Sequence, residues 1–398
     1  MSIEKDRIRS VSRAYSEYLE RVTPSVFSFA RSQKLDKEFD KLIKRHHDLV
    51  HDFPKKWIDT ARSEYCYGRI FSSAVLLRKF IRQCGVDLMA SDLTITRGFV
   101  DEPWEYTLFS VEKAEGTLAF ASDAVSGDEF VIESENVTML EEKGARLFWS
   151  LMFFNGQCYQ SYGIINYFKG ISVDDFEYFA AAVNGDIYKA DGISGVMQRF
   201  PVPFMLLFAF SEIPVVAHGD EEVVYCASRN IIPGFETDSV EGYLDRREER
   251  GIIKYAFSDP GDPMRSGTLY VNTGTWDVTL LSTVESRYRE LQKQLPYDFG
   301  TSPDFSATVV MATAAEQILG HCFPGTEYDR YFAEEESDEE KEMLAGLSLA
   351  LEDVLEQLKN GEEPDYDGIS ETHGCSRDDL VKITYRLLEK QKNLSEDA

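Results

Sequence analysis

Several signatures are missing from this chain, and each absence excludes a class of function. Its 398 residues contain no Gly-Lys dipeptide, so a phosphate-cradling P-loop is excluded. No GxGxxG follows an expected strand, no GxSxG elbow occurs, and the protein-kinase signatures are absent. The six cysteines, Cys66, Cys84, Cys158, Cys226, Cys322 and Cys375, are spread singly with no CxxC pair. Structural zinc needs closely spaced ligands, so these read as isolated thiols in a reducing compartment. Positive charge is scarce: 42 Lys and Arg face 70 Asp and Glu, a net charge of -28. Long-range repulsion therefore opposes encounter with a polyanion.

No long hydrophobic span is present either. The longest run without a charge is 147–168, LFWSLMFFNGQCYQSYGIINYF, and Asn155, Gly156, Gln157, Gln160 and Asn166 interrupt it. An Asn-Gly pair between apolar runs predicts a β-hairpin rather than a membrane helix. The run 200–211 is short and carries Pro201 and Pro203. The first ten residues, MSIEKDRIRS, lack the apolar core of a secretory signal. A cytoplasmic chain with no membrane span is expected.

The composition, 43% hydrophobic and 28% charged, is that of a globular protein, and the length predicts two to four domains. The charge is unevenly placed. Residues 1–97 carry a net +6, 98–326 a net -20 and 327–398 a net -14, which suggests different modules. The expected fold is multidomain α+β. A basic helical module over 1–97 is followed by a small antiparallel β-barrel or meander over 98–170. An α+β module over 171–300 and an acidic helical region over 301–398 complete the chain.

Within the first module, Ile8, Val11, Tyr15, Tyr18, Leu19 and Val22 form a helical stripe that Pro24 is expected to interrupt. A second stripe runs Leu35, Phe39, Leu42, Ile43, His46, Val50, and Trp57 to Gln83 reads as one further helix ended by Gly85. In the β module, TLAFASD and EFVIES flank a turn, and two more strands flank Asn155-Gly156. Ser172 caps a helix over SVDDFEYFAAAV. In the third module VEGYLDRREERG reads as a short charged helix. A hairpin is expected around Thr273-Gly274, and a helix over 284–295 with Ser282 as its cap. From about residue 304 the chain reads as helical, with the acidic run AEEESDEEKE at 333–342 as a solvated linker.

Two stretches, FSVEKAEGTLAFASDAVSGDEFVIES and GTLYVNTGTWDVTLLSTVESRYRELQKQL, resemble modules of uncharacterised bacterial proteins that often carry an SEC-C zinc motif. The cysteine-rich motif itself is absent here, so the resemblance implies architecture and a bacterial source, and carries over no zinc ligand.

Four clusters stand out as candidate sites. His47 and His51 in RHHDLVHDF stand i, i+4 on a helix, a spacing that places two metal ligands on one face. With Asp48 between them they spell HDLVH, close to the HExxH of a metal-dependent hydrolase, but no distant third ligand is evident. A nucleic-acid footprint would draw on Arg7, Arg9, Arg13, Lys41, Lys44 and Arg45 of the basic module. The segment 369–391 has helix-turn-helix spacing, with Gly374 at the turn, Ser376 as cap, and Leu380 and Ile383 packing back. Arg377 stands where a reading residue belongs, but Asp378 and Asp379 beside it repel phosphate. PDYDGISE at 364–371 fails the EF-hand pattern and reads as a turn between helices.

No catalytic constellation emerges, so an enzymatic role and a cofactor are not expected. The expected function is a scaffold, adaptor or regulatory protein acting through protein-protein contacts. A nucleic-acid-associated regulator is the first alternative and a metal-dependent hydrolase the second. The abundance of aromatics, 26 Phe and 20 Tyr, suits a partner interface if some stay at the surface.

Overall fold

A computed structural model of the chain describes residues 2–142, 144–214, 216–218, 221–259, 262–300 and 302–332. Beyond these it describes 364–374 and scattered positions between 346 and 384. Residues 1–331 form one compact unit and 332–398 another. The architecture is mixed α and β, with two large sheets in the first unit.

The first unit opens with helices: α1 (Ser2–Gln33), α2 (Leu35–Lys44), a single turn α3 (His47–Val50), α4 (Trp57–Phe71), α5 (Ala74–Cys84) and α6 (Ala90–Gly98). Pro24 does not interrupt α1, contrary to expectation. Tyr18 and Val22 before it, and Val26, Phe29 and Ala30 after it, are all buried on one stripe. That continuous burial holds the helix through the lost hydrogen bond. The single helix expected over Trp57 to Gln83 is instead two. Ser73 accepts a hydrogen bond from the Leu76 amide and so caps a new helix, α5.

Five strands follow: β1 (Glu105–Glu115), β2 (Leu118–Asp123), β3 (Glu129–Glu133), β4 (Leu147–Phe154) and β5 (Tyr159–Phe168), with α7 (Glu135–Glu142) between β3 and β4. The hairpin at Asn155-Gly156 forms as the sequence predicts. Asn155 Oδ1 accepts from the amides of Gln157 and Cys158, and Gly156 takes φ 85°. The strand order β1-β2-β3-β5-β4 returns from β4 to β1. One seam departs from the antiparallel barrel expected: β3 meets β5 through a single parallel pair, Ile132 with Tyr159. A one-pair seam is not a continuous ladder, and the sheet is best described as strongly curled. Phe109, Ala121, Ile132, Phe148 and Met152 fill the inside of the curl.

The chain then enters α8 (Val173–Arg199), which breaks at Asn184 and Gly192, and α9 (Pro201–Leu206). Ser172 and Asp175 form the expected N-terminal cap reciprocally. Two short strands, β6 (Ala217–His218) and β7 (Glu221–Glu222), precede the second sheet. That sheet comprises β8 (Val224–Ile231), β9 (Asp245–Glu249), β10 (Ile252–Asp259), β11 (Asp262–Asn272), β12 (Asp277–Ser282) and β13 (Phe305–Thr308). Its order is β13-β8-β12-β11-β10-β9, antiparallel throughout. α10 (Glu285–Gln294) lies over one face, with Tyr288 and Leu291 in the core. A Cβ on Gly267 would strike Leu291, so glycine is what lets the helix approach.

Three expectations fail in this region. The charged segment 245–249 is an exposed edge strand, not a helix, because pairing with β10 overrides local helix propensity. α10 is capped by no side chain; Ser282 Oγ donates instead to the Ser266 and Val284 carbonyls. Residues 305–308 form β13 before α11 (Val309–Leu319) begins, so the region from 304 is not wholly helical. A last turn, α12 (Asp329–Phe332), closes the described run.

In the second unit, a helix spans Tyr366–His373, so PDYDGISE is a helix start rather than a turn. Asp365 caps it by accepting from the Gly368 amide. Gly374 follows in the left-handed conformation at φ 64° and ends the helix. Ile369 and Leu380 pack with Ala350 and Val354. Most of the second helix of that expected hairpin, Asp378, Asp379 and Ile383 among it, lies outside the described residues, as do Cys375 and the acidic run 333–342.

Candidate functional site

The curled sheet ends in a cleft of about 460 Å³ beside the start of β1. Four carboxylates line it: Glu102 and Glu105 from the entry to β1, and Asp123 and Asp128 from the β2–β3 turn. Three aromatic rings, Phe130, Phe154 and Tyr159, share the wall. The β2–β3 turn is held by its own side chains. Asp123 Oδ1 accepts from the amides of Val125 and Ser126 at 2.8 and 2.7 Å, and Ser126 Oγ donates to Asp128 Oδ2 at 2.8 Å. Gly127 takes φ 79° to close it.

The aromatics are placed by register. Phe154 and Tyr159 are cross-strand partners at the end of the β4–β5 hairpin, and Tyr159 is also the seam partner of Ile132. The Tyr159 ring centroid lies 5.1 Å from Phe130 and 5.3 Å from Phe154. Tyr159 and Glu105 keep access to solvent. Partial burial, and then Asp123, raise the Glu105 carboxyl above its ordinary value. Burial raises the Tyr159 phenol too, and Glu105, Glu102, Asp128 and Asp123, which line the same cleft, all add to that rise. Four carboxylates sharing one cleft with an exposed tyrosine and two half-buried phenylalanines form an environment that attracts a cation electrostatically and offers it cation–π contact.

The expected site residues are placed differently. His47 and His51 are exposed, and their rings stand 6.2 Å apart. Each sits against its own neighbour, Asp48 at 3.5 Å and Asp52 at 3.2 Å. Among the described residues no group of three or more His, Cys, Asp or Glu is arranged to hold a metal. His46 is half-buried, with its imidazole pushed down by burial and by Arg45.

The basic residues do not form one footprint. Arg7 and Arg9 are exposed on α1, and Arg13 pairs with Glu17 at 3.2 Å. At about 1.5 Å per residue, Arg9 stands roughly 36 Å from the end of α1 where α2 begins. Lys41 and Lys44 share the outer face of α2 with Lys37, opposite the buried Leu35, Phe39 and Ile43, and Arg45 follows. Among the described residues none of Lys37, Lys41, Lys44 or Arg45 pairs with a carboxylate, whereas Lys5 pairs with Glu115 and Arg21 with Asp92. Arg377 belongs to the second unit, where it pairs with Asp367 at 2.6 Å.

The cleft itself was not legible as a site in the sequence. Its carboxylates come from two segments about twenty residues apart, and the antiparallel pairing of β1 with β2, Phe109 opposite Asp123, brings them together. The usable signal was local: an aromatic on each side of the Asn155-Gly156 turn, where a hairpin register makes them partners.

Compared with protein-family models, curated proteins and solved structures, the chain matches none. The resemblance drawn from 109–134 and 267–295 therefore rests on those residues alone. Among the described residues no single helix is long and apolar enough to cross a membrane; α8 with the following 201–210 reaches that composition only as a bent pair.

Proposed function

We propose that this chain is a non-catalytic adaptor or regulatory protein that binds a partner through the acidic, aromatic cleft, taking up lysine or arginine side chains of that partner. The observation that carries the reading is one cleft lined by Glu102, Glu105, Asp123 and Asp128 together with the exposed Tyr159 ring, with Phe130 and Phe154 beside it. An arrangement of this kind rewards a cation with an apolar stem, because the stem covers the rings while the charge meets the carboxylates. The net charge of -28 supports it by drawing basic partners toward the surface. The reading keeps the chain in the cytoplasm.

Titration calorimetry with a pentalysine peptide, and with the same peptide acetylated on every side chain, tests this. The free peptide is expected to bind and to weaken with salt, the acetylated one not to bind. Glu105→Gln with Asp128→Asn, and separately Tyr159→Ala, are expected to reduce affinity at least tenfold. Equal binding by wild type and by both variants would sink the reading.

A second reading is favoured by one feature, the stripe of Lys37, Lys41 and Lys44 on α2, which pairs with no carboxylate among the described residues. In a chain with so many spare carboxylates, an unneutralised cationic face suits a nucleic-acid backbone. Anisotropy with mixed-sequence DNA and RNA decides it: three phosphate contacts give a log–log salt slope of about -2 to -3, and Lys→Gln at all three positions removes it.

A further inference from the structure

A groove of about 560 Å³ runs between α8 and β13 and shares no lining residue with the acidic cleft. Its volume lies in the usual range for a binding site. One wall is α8, where Asp174, Glu177, Ala181, Gly185 and Tyr188 recur every three or four residues. The other wall is four consecutive residues, Pro303 to Ser306. Successive side chains of an extended segment point to opposite faces, so a space that touches four in a row follows the backbone edge. β13 is the outermost strand of its sheet. The polar groups of the groove are within reach of solvent: Asp174, Glu177, Lys189, Asp304 and His321 are exposed, and Phe305 is 39% exposed.

The register shows which backbone groups the edge offers. In β8, Arg229 turns its amide to the β13 side, onto Asp304 Oδ2 at 3.1 Å, whereas Val224 turns its amide to the β12 side, onto the Thr283 carbonyl at 3.1 Å. Residues two apart share a direction, so Tyr225 and Ala227 face β13 and Cys226 faces β12. Their partners Ala307 and Phe305 therefore make the ladder bonds, and Ser306, opposite Cys226, points its N–H and C=O away from β8. Thr308 lies in phase with Ser306, and its amide does leave the sheet, for Asp175 Oδ1 of α8 at 2.7 Å. Ser306 has no such partner among the described residues, and it lines the groove.

A free N–H and C=O on one edge residue match the backbone of another extended segment, which returns one of each. The α8 wall leaves room for that segment's side chains. Ala181, Ala182 and Gly185 are small, and a Cβ on Gly185 would meet nothing within 4 Å. The rim is acidic. Asp174 and Glu177 pair with no cation among the described residues, and with Asp304 they outnumber Lys189. Side chains on a strand alternate, so apolar ones facing the small residues would alternate with cations facing the rim.

We infer that the groove between α8 and β13 docks an extended segment of a partner protein, which adds to the sheet at Ser306 and carries apolar side chains alternating with lysine or arginine. The inference does not depend on what occupies the acidic cleft.

Calorimetry on the full chain with the peptide acetyl-Val-Lys-Val-Lys-Val-amide tests it, in wild type and in Tyr159→Ala, so that uptake by the cleft is separated. Saturable binding with a Kd below about 1 mM is expected in both. Ser306→Pro removes an N–H that makes no ladder bond, at an edge position where proline is tolerated. It is expected to weaken binding roughly tenfold or more at an unchanged unfolding temperature. Gly185→Leu fills the groove and is expected to do the same. Asp174→Asn with Glu177→Gln is expected to weaken binding several-fold and to flatten its salt dependence. N-methylating the peptide probes the same contact without altering the chain: methylation of its valines or of its lysines, whichever set faces the strand, is expected to abolish binding. Four results would overturn the inference: no saturation in the millimolar range, binding lost in Tyr159→Ala, wild-type affinity in folded Ser306→Pro or Gly185→Leu, or binding that survives both methylations.

Discussion

Two glycines of the β4–β5 hairpin give a measure of how closely α4 approaches the curled sheet. Gly156 and Gly163 share a positive φ, 85° and 87°. A positive φ of this kind costs alanine at least about 1–2 kcal/mol at each position. Their surroundings differ. A Cβ on Gly156 meets nothing within 4 Å, whereas on Gly163 it would lie 2.7 Å from Glu64 Cβ and 2.8 Å from Glu64 Cγ. Glu64 is fully buried on α4, and its Oε2 accepts from the Ile164 amide at 2.5 Å, so it has no easy retreat. Overpacking of this kind adds about 1–3 kcal/mol. Gly156→Ala is therefore expected to destabilise by about 1–2 kcal/mol and Gly163→Ala by about 2–5 kcal/mol. Urea unfolding followed by tryptophan fluorescence reads both, since Trp104 and Trp149 are buried in this packing. Gly163→Ala is also expected to be milder in a Glu64→Ala background, because the Cγ and carboxylate are gone. Equal effects at the two glycines, with full additivity at Glu64, would refute the close approach of α4 to β5.

Two further outcomes follow from single side chains. Asp175 Oδ1 accepts from the amide and hydroxyl of Thr308, and Oδ2 from the amide and hydroxyl of Ser172, all while nearly fully buried. Asp175→Ala is expected to destabilise by roughly 3 kcal/mol in chemical denaturation, since it loses a cap and leaves β13 untied from α8. A loss under about 1 kcal/mol would contradict that role. At the cleft, the raised Glu105 carboxyl means that a bound cation competes with a proton. Pentalysine affinity is expected to rise with pH as Glu105 ionises, and to flatten in Glu105→Gln; a pH-independent affinity in wild type would contradict the coupling.

What the sequence carried was local. Asn155-Gly156 and Thr273-Gly274 announced their hairpins because Asn155 and Asn272 each fold a side-chain oxygen back onto two amides of their own turn. Ser172 announced α8 for the same reason. What failed was set by partners distant in the chain. The charged segment 245–249 is a strand because β10 lies beside it, and Pro24 stays helical because a buried stripe runs through it. The acidic cleft belongs to this second kind. Glu105 and Asp128 acquire their relation only when β1, β2 and β3 pair in register, Phe109 opposite Asp123 and Ser122 opposite Glu129, and no local pattern encodes that register.

The measurement that bears most directly on the cleft is carbodiimide cross-linking of pentalysine to the intact chain, with attachment sites read by mass spectrometry. On a chain with 70 acidic residues, most of them outside the core, a basic peptide held by charge alone would attach broadly. A cleft that selects lysine predicts attachment concentrated at Glu102, Glu105, Asp123 and Asp128, and lost from them in Tyr159→Ala. Attachment spread across the acidic surface, and unchanged by Tyr159→Ala, would contradict it.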